Sequence, residues 1–375
     1  MKTTVIKITN SANIQPAISR ACEVLNHGGL VGFPTETVYG LAAQASLPEA
    51  LARLAQVKNR PENKPFTLHL ADKSALKKYV PPLSLLNRHL LQKAWPGPLT
   101  IIFTLTPEQK LQLTNDLPSH QINALYYNNS IGIRIPDHPV ALQLLKAAHA
   151  PIVAPSANIS GAPPPQQAQD VLQQLDGKID LLLDSGPTKY QKPSTIIKLQ
   201  DDDLVIIRPG VLDTGCIRRM RSVTILFICT GNSCRSPMAE GFCRKKLTQI
   251  LRCPVDQVGQ KGYKILSAGV MAFPGARAST EAVVACREAS VDITGHRAQQ
   301  VTTDMLTAAD YIYVMDSSHQ NTVLKMAPSG TAQPVMLDKN ADIKDPIGQT
   351  QDTYRKCAEQ ISRSVSTRLK EIFET

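Results

Sequence analysis

Val223-Thr224-Ile225-Leu226-Phe227-Ile228-Cys229-Thr230-Gly231-Asn232-Ser233-Cys234-Arg235-Ser236-Pro237 decides how the second half of the chain folds. The apolar run predicts a buried strand over Val223–Cys229, and Pro237 suits the first turn of a helix from Ser236 to about Leu251. Cys229 through Arg235 then form a loop that closes at a helix N-terminus. Free backbone N–H groups and the helix dipole attract an anion there. The same field is expected to lower the pKa of the Cys229 thiol and give a thiolate at neutral pH. The planar fork of Arg235 can grip two phosphate oxygens. Gly231 and Asn232 tolerate the positive φ that a cradle needs. A cysteine nucleophile also needs an acid for the leaving atom, and Asp345, before Pro346 on a loop ahead of the last helix, is the candidate.

Outward from this motif, a strand Ile265–Ser267, a helix Thr280–Ala289, a strand Tyr311–Met315 and a long helix from about Thr353 to Phe373 complete a βα alternation. It predicts a doubly wound parallel sheet. The first half alternates strand-like stretches at Leu30–Phe33, Phe66–Leu70, Thr100–Leu105, Ile131–Ile135, Ile152–Ala154, Leu181–Asp184, Thr195–Leu199 and Leu204–Ile207. Helical patterns fall at 13–26, Val140–Ala148 and Ala168–Leu175. The fold class is α/β throughout, with a twisted mixed sheet expected first. Residues 213–222 lack apolar periodicity and carry three arginines, which predicts domains at 1–212 and 223–375 joined by a linker at 213–222.

The 375 residues are 42% hydrophobic and 19% charged, an ordinary globular mix that argues against disorder. No apolar run approaches the roughly 18 residues of a membrane span, and the alternating start has no apolar signal core, which argues for a cytoplasmic protein without a membrane partner. Eight cysteines are too few for a disulfide scaffold, and seven of them follow Cys216 or are Cys216 itself. The net charge of +10 divides evenly: 20 basic and 15 acidic residues precede Asp213. Such a surface suits nucleotides, phosphoproteins or RNA.

In the first half, Pro34-Thr35-Glu36-Thr37-Val38-Tyr39-Gly40-Leu41 follows a strand with hydroxyls, a carboxylate and a phenol. Lys58-Asn59-Arg60-Pro61-Glu62-Asn63-Lys64-Pro65 gathers three cations. Ala154-Pro155-Ser156-Ala157-Asn158 and Arg208-Pro209-Gly210 end two further strands. Strand ends are where α/β sheets place ligands, so these residues predict an anion or nucleotide pocket without a protein nucleophile.

Two family resemblances extend these readings. Cys229–Pro237, Ser267-Ala268-Gly269, Val314-Met315-Asp316 and Asp345-Pro346 resemble, in order and spacing, the low-molecular-weight protein tyrosine phosphatases. The resemblance implies Cys229 as nucleophile forming a cysteinyl-phosphate, Arg235 as transition-state clamp and Ser236 as support for the thiolate. Asn232 becomes loop organiser, Thr230, Gly231, Ser233 and Cys234 complete the phosphate loop, and Asp345 is general acid and then base. No metal or other cofactor is implied, and the substrate is a phosphoprotein. Protein-arginine phosphatases share the Cys229–Ala239 stretch, and Ser233 with no aromatic directly after Pro346 favours phosphoarginine over phosphotyrosine. A tyrosine-selective site would need a distant ring such as Tyr311 or Tyr313. Thioredoxin-linked arsenate reductases share the loop but need a later cysteine pair, and Tyr311–Pro328 holds no cysteine.

The first-half strings, with Trp95-Pro96-Gly97-Pro98-Leu99-Thr100, Ile133-Arg134-Ile135-Pro136 and Ser194-Thr195-Ile196-Ile197, resemble the YrdC-type threonylcarbamoyl-AMP synthases. That family joins L-threonine, bicarbonate and ATP, with Mg²⁺, into threonylcarbamoyl-AMP and pyrophosphate. A tRNA-modifying transferase complex then receives the adenylate to make threonylcarbamoyladenosine. The resemblance implies Thr37, His69, Arg134, Ala154 and Ser194 for threonine. For ATP it implies Lys58, Arg60, Lys64, Ser130, Ser156, Asn158 and Arg208. Pro164 replaces a nucleotide-contacting serine of some relatives. The alternative for this half is an RNA-binding module, since its charge of +5 permits contact with tRNA or double-stranded RNA.

Overall fold

The structure, a computed structural model, describes residues 2–60 and 65–374. Lys64, expected at the nucleotide site, lies outside the described residues. The chain forms two compact units that meet between Met220 and Arg221. The expected linker contains a helix, Thr214–Arg221, whose Ile217 is buried in the first unit's core. Met220 packs against the same core, and the three arginines mask these two apolar anchors in the sequence.

Among the described residues the first unit builds one mixed sheet of eleven strands. Its order runs Thr4–Lys7, Leu181–Asp184, Val31–Phe33, Gly40–Gln44, Ile152–Val153, Leu68–His69, Ser130–Arg134, Leu99–Thr104, Thr195–Gln200 and Asp203–Arg208, with Tyr126–Tyr127 paired to Ser130–Arg134. Successive residues face opposite ways and split the core in two. Val31, Phe33, Leu181 and Leu183 pack on the helices Ile14–Asn26 and Pro139–Ala147. Leu30, Leu41 and Leu182 pack on Pro48–Val57, Leu85–Ala94 and Ala168–Leu175. The strand Gly40–Gln44 and the helices Pro48–Val57 and Leu85–Ala94 were not expected. The strand is poor in β-branched residues, and Leu85–Ala94 buries Asn87 and His89 among its apolar residues, which interrupts its period.

The second unit is a four-stranded, all-parallel sheet in the order Tyr263–Gly269, Val223–Cys229, Tyr311–Val314, Pro334–Met336. Leu226 and Ile228 face Leu306 and Val323 of the helices Thr303–Ala308 and Ser317–Met326. Phe227 faces the other way and stacks on Tyr313 at 5.7 Å. On that side Arg235–Leu251 and Gln351–Glu374 cover the sheet, with Phe373 stacked on Tyr263 at 5.8 Å. The chain winds outward in both directions from Val223–Cys229. A crevice therefore opens at the carboxyl end of that strand, where Cys229 sits.

Candidate active sites

Cys229 is buried, 2% exposed, as the last residue of its strand. Its Sγ lies 3.0 Å from Ser236 Oγ and accepts the Asn232 N–H at 3.3 Å. Asn232 is fully buried at φ +53°, a left-handed conformation that asparagine tolerates. Its side chain donates to Ser236 Oγ and Ser267 Oγ, both at 2.9 Å, and accepts the Gln299 N–H at 2.9 Å. The turn is thereby tied to the next strand. Gly269 is required at that seam, because a Cβ would stand 2.4 Å from Thr230 O.

Arg235 opens the helix and points back over the loop. It donates through one terminal nitrogen to Asp316 Oδ2 and Ile343 O, each at 3.0 Å. Through the other it donates to Thr230 Oγ1 at 3.2 Å and Asp345 Oδ2 at 2.5 Å. Asp345 therefore reaches the cradle, as its expected role requires. The Cys229 thiol departs from expectation. Burial pushes it up, against the lowering influence of Ser236, Arg235 and Asn232, and the net shift is upward. The physical reason is desolvation: the sulfur is fully enclosed, and a thiolate there would lose its hydration.

Three neighbours were assigned no role from the sequence, although Asp316 lay inside a quoted motif. Asp316, His319 and His296 approach the loop, the last with Nε2 2.7 Å from Asn232 O. Of the rings offered for a tyrosine pocket, Tyr313 is buried against Phe227, and Tyr311 begins a strand whose opposite end faces the crevice. Exposed apolar groups near the loop include Ile347, beside Asp345, and Met271 and Phe273, 77% and 81% exposed, on a segment whose Met271 N–H bonds Thr230 O at 2.9 Å.

In the first unit, the buried pair Arg134–Glu36 organises the strand ends. Arg134 donates to Glu36 Oε1 at 2.8 Å and Thr37 Oγ1 at 2.6 Å, while Glu36 Oε2 accepts the Asp137 N–H at 3.0 Å. The two side chains are 7% and 2% exposed, and the surrounding hydrogen bonds offset part of the desolvation cost. Arg134 Nε is buried with no partner among the described residues. His69 and Thr100 pair with Arg134 in the two flanking strands. Thr100 Oγ1 lies 2.9 Å from Ser194 Oγ, and Arg208 donates to Ser194 O at 2.7 Å. Gly210 permits this approach, since a Cβ there would meet Thr195 N at 2.3 Å. The Ala154 N–H bonds Thr67 O at 3.0 Å beside the His69 strand. Burial and then the Arg134 charge push His69 down to about 3, so it is neutral, and Nδ1 lies 3.2 Å from Thr67 O.

A second group holds the candidate nucleotide residues. Lys58 Nζ donates to Ser156 O and, at 2.6 Å, to Asn158 O. Ser156 Oγ donates to Asn158 Oδ1 at 2.5 Å. Burial and then Arg60 push Lys58 down to about 8. Arg60 donates to Pro65 O at 2.6 Å and lies 4.9 Å from the Phe66 ring centroid. Gly40, three residues after Thr37, bridges to Ser156 and links the two groups. Ser130, the remaining candidate nucleotide residue, lies on the strand that carries Arg134. It begins the strand that Arg134 ends, about 13 Å away at the usual rise, and bonds Tyr127 O at 2.6 Å. Glu36 and Thr100, which were not among the expected site residues, complete the cluster. Both lay inside quoted motifs, Glu36 in Pro34–Leu41 and Thr100 at the end of Trp95–Thr100, without being singled out.

A Sua5, YciO and YrdC family model, described as telomere recombination, matches residues 23–210. The chain belongs to the Sua5–YciO–YrdC family. Residues 224–375 match the low molecular weight phosphotyrosine protein phosphatase model, so the chain joins two catalytic families. It is 39% identical over 195 residues to the threonylcarbamoyl-AMP synthase of Bacillus subtilis (strain 168), which covers 52% of this chain and 54% of that protein. It is 36% identical over 190 residues to the putative threonylcarbamoyl-AMP synthase of Methanocaldococcus jannaschii, covering 51% of this chain and 83% of that one. The chain thus spans about half the length of the Bacillus subtilis relative and of a similar one from Pyrococcus abyssi. A crystal structure of P. abyssi Sua5 complexed with L-threonine aligns with a TM-score of 0.50 at 23% identity, over 71% of this chain and 92% of that one, a likeness of fold. Among the described residues no helix is long and apolar enough to cross a membrane. No group of three His, Cys, Asp or Glu among them could hold a metal ion.

Proposed function

We propose that the first unit forms threonylcarbamoyl-AMP and pyrophosphate from L-threonine, bicarbonate and ATP, and that the second hydrolyses protein-bound phosphate through Cys229. The observation that carries the first reading is Arg134: buried, held by Glu36 and Thr37, with an N–H left over for a carboxylate beside a neutral His69. The threonine amine attacks the bicarbonate carbon, a carbon–oxygen bond of bicarbonate breaks and its oxygen leaves as water with the amine proton, and a carbamate oxygen then attacks the α-phosphorus as pyrophosphate leaves with the bond electrons. No step needs a protein nucleophile, so the site acts by placement and charge. Mg²⁺ arrives on the nucleotide's phosphates, and a tRNA-modifying transferase consumes the adenylate. Pyrophosphate release that requires both L-threonine and bicarbonate is the expected result. Release independent of threonine, or none, overturns the reading.

In the second unit, phosphate draws Arg235 from its carboxylate partners, the Cys229 proton passes to a phosphate oxygen, and the resulting thiolate attacks phosphorus. Asp345 protonates the leaving atom, and a cysteinyl-phosphate then yields to water. Ser233 and the lack of a ring directly after Pro346 favour phosphoarginine. The exposed ring of Phe273 at the rim supports the second reading, phosphotyrosine, because a phenol needs an apolar face. Comparing kcat/KM on phosphoarginine and phosphotyrosine peptides separates them. A Phe273→Ala loss confined to phosphotyrosine would favour the second.

A further inference from the structure

Behind the phosphate loop lies an Asp316–His319–Thr230 line. His319 is 2% exposed; its Nε2 is 2.8 Å from Thr230 Oγ1 and its Nδ1 is 2.9 Å from Asp316 Oδ1. The Nδ1 contact is off the hydrogen-bond axis, because Asp316 Oδ1 already accepts the His319 backbone N–H at 3.0 Å and the Ser318 hydroxyl at 2.6 Å. It is nevertheless an electrostatic one, and it favours the tautomer with its proton on Nδ1. Thr230 Oγ1 must also accept from Arg235 at 3.2 Å, since a guanidinium only donates. A hydroxyl has one proton, so these contacts decide where it goes.

We propose, building on the phosphatase reading, that His319 is a positioning residue of the phosphate cradle. Neutral, it takes the Thr230 O–H at Nε2 and leaves the Thr230 oxygen to Arg235 as an acceptor. Asp316 closes the circuit by holding the other Arg235 nitrogen at 3.0 Å. The clamp is then fixed from both ends before phosphate arrives, which favours the transition state without reorganisation. Protonation of His319 reverses the bond. Nε2–H donates to Thr230, the threonine proton is driven elsewhere, and the new cation competes with Arg235 for Asp316. The charged groups facing the imidazole are Asp316, Arg235, Asp345 and Asp342. Burial outweighs the carboxylates and holds the imidazole below its ordinary value, so the neutral form dominates at pH 7.

The test is a double-mutant cycle on the full chain with p-nitrophenyl phosphate. His319→Ala and Thr230→Val are each expected to lower kcat/KM about tenfold, and together no further than the worse single variant. His319→Gln, whose amide offers an acceptor, restores most of the loss at neutral pH. It also removes one proton from the slope of the acid limb. Additive losses, no rescue by glutamine, or an unchanged acid limb would overturn the proposal. If His319→Ala does not fold, the glutamine rescue is scored against Thr230→Val, and the acid limb decides. A wild-type chain that hydrolyses no aryl phosphate sinks the phosphatase reading and this inference together, whereas an active chain with additive variants sinks only this one.

Discussion

The two candidate sites are built on opposite plans. In the second unit, the proposed nucleophile, cradle and clamp all fall within Cys229 to Ser236, one strand-loop-helix turn, and the proposed acid Asp345 is the main group brought from a distance. In the first, the defining contacts join segments far apart in sequence, beside local ones such as Ser156 to Asn158. Glu36 meets Arg134 across 98 positions, and Lys58 meets Asn158 across 100. One site is a local backbone device, and the other is an agreement among strand ends. Substitutions should therefore act through chemistry in the second unit and through geometry and stability in the first.

Removing the nucleophile sharpens this contrast most. Cys229→Ser is expected to abolish phosphate hydrolysis, by on the order of 10⁴-fold or more, because a serine hydroxyl is not ionised at neutral pH. Threonine-dependent pyrophosphate release should be untouched in the same preparation. Loss of both would mean that the units depend on each other. Arg60→Ala should reduce pyrophosphate release by about 10²–10³-fold and leave hydrolysis intact, since a charge-assisted phosphate contact is lost.

Glu36→Gln tests the distributed plan directly. It removes one charge of a buried pair, which is expected to cost about 3 kcal/mol of first-unit stability and to raise the KM for L-threonine more than that for ATP. Thermal unfolding and the two KM values are the readouts. An unchanged melting profile would show that Arg134 holds its place without Glu36. The smallest effect concerns pH. Lys58 titrates near 8 when folded and near 10.5 when unfolded, so the unfolded chain binds more protons between these values. Its contribution therefore makes the first unit more stable as pH rises from about 8 toward 10.5. Over the same rise Lys58 loses charge, and the KM for ATP should increase. An ATP KM that is flat from pH 7 to 9 would remove Lys58 from the nucleotide site.

Local patterns carried far in this chain. The continuous apolar run at Val223–Cys229 followed by a loop and Pro237 could only be a buried strand entering a helix, because backbone donors at a helix start are set by neighbours in sequence. Leu181–Asp184 was readable to the residue for a similar reason: a short apolar run has one stable home between helical layers. Tertiary structure alone decided the rest. It put Glu36 under Arg134, Thr100 against Ser194, and His319 behind Thr230, since pairing across a sheet depends on register, which no local pattern contains. It also raised the Cys229 thiol where the loop alone suggested a fall, because the desolvation of a buried sulfur exists only once the chain has closed around it.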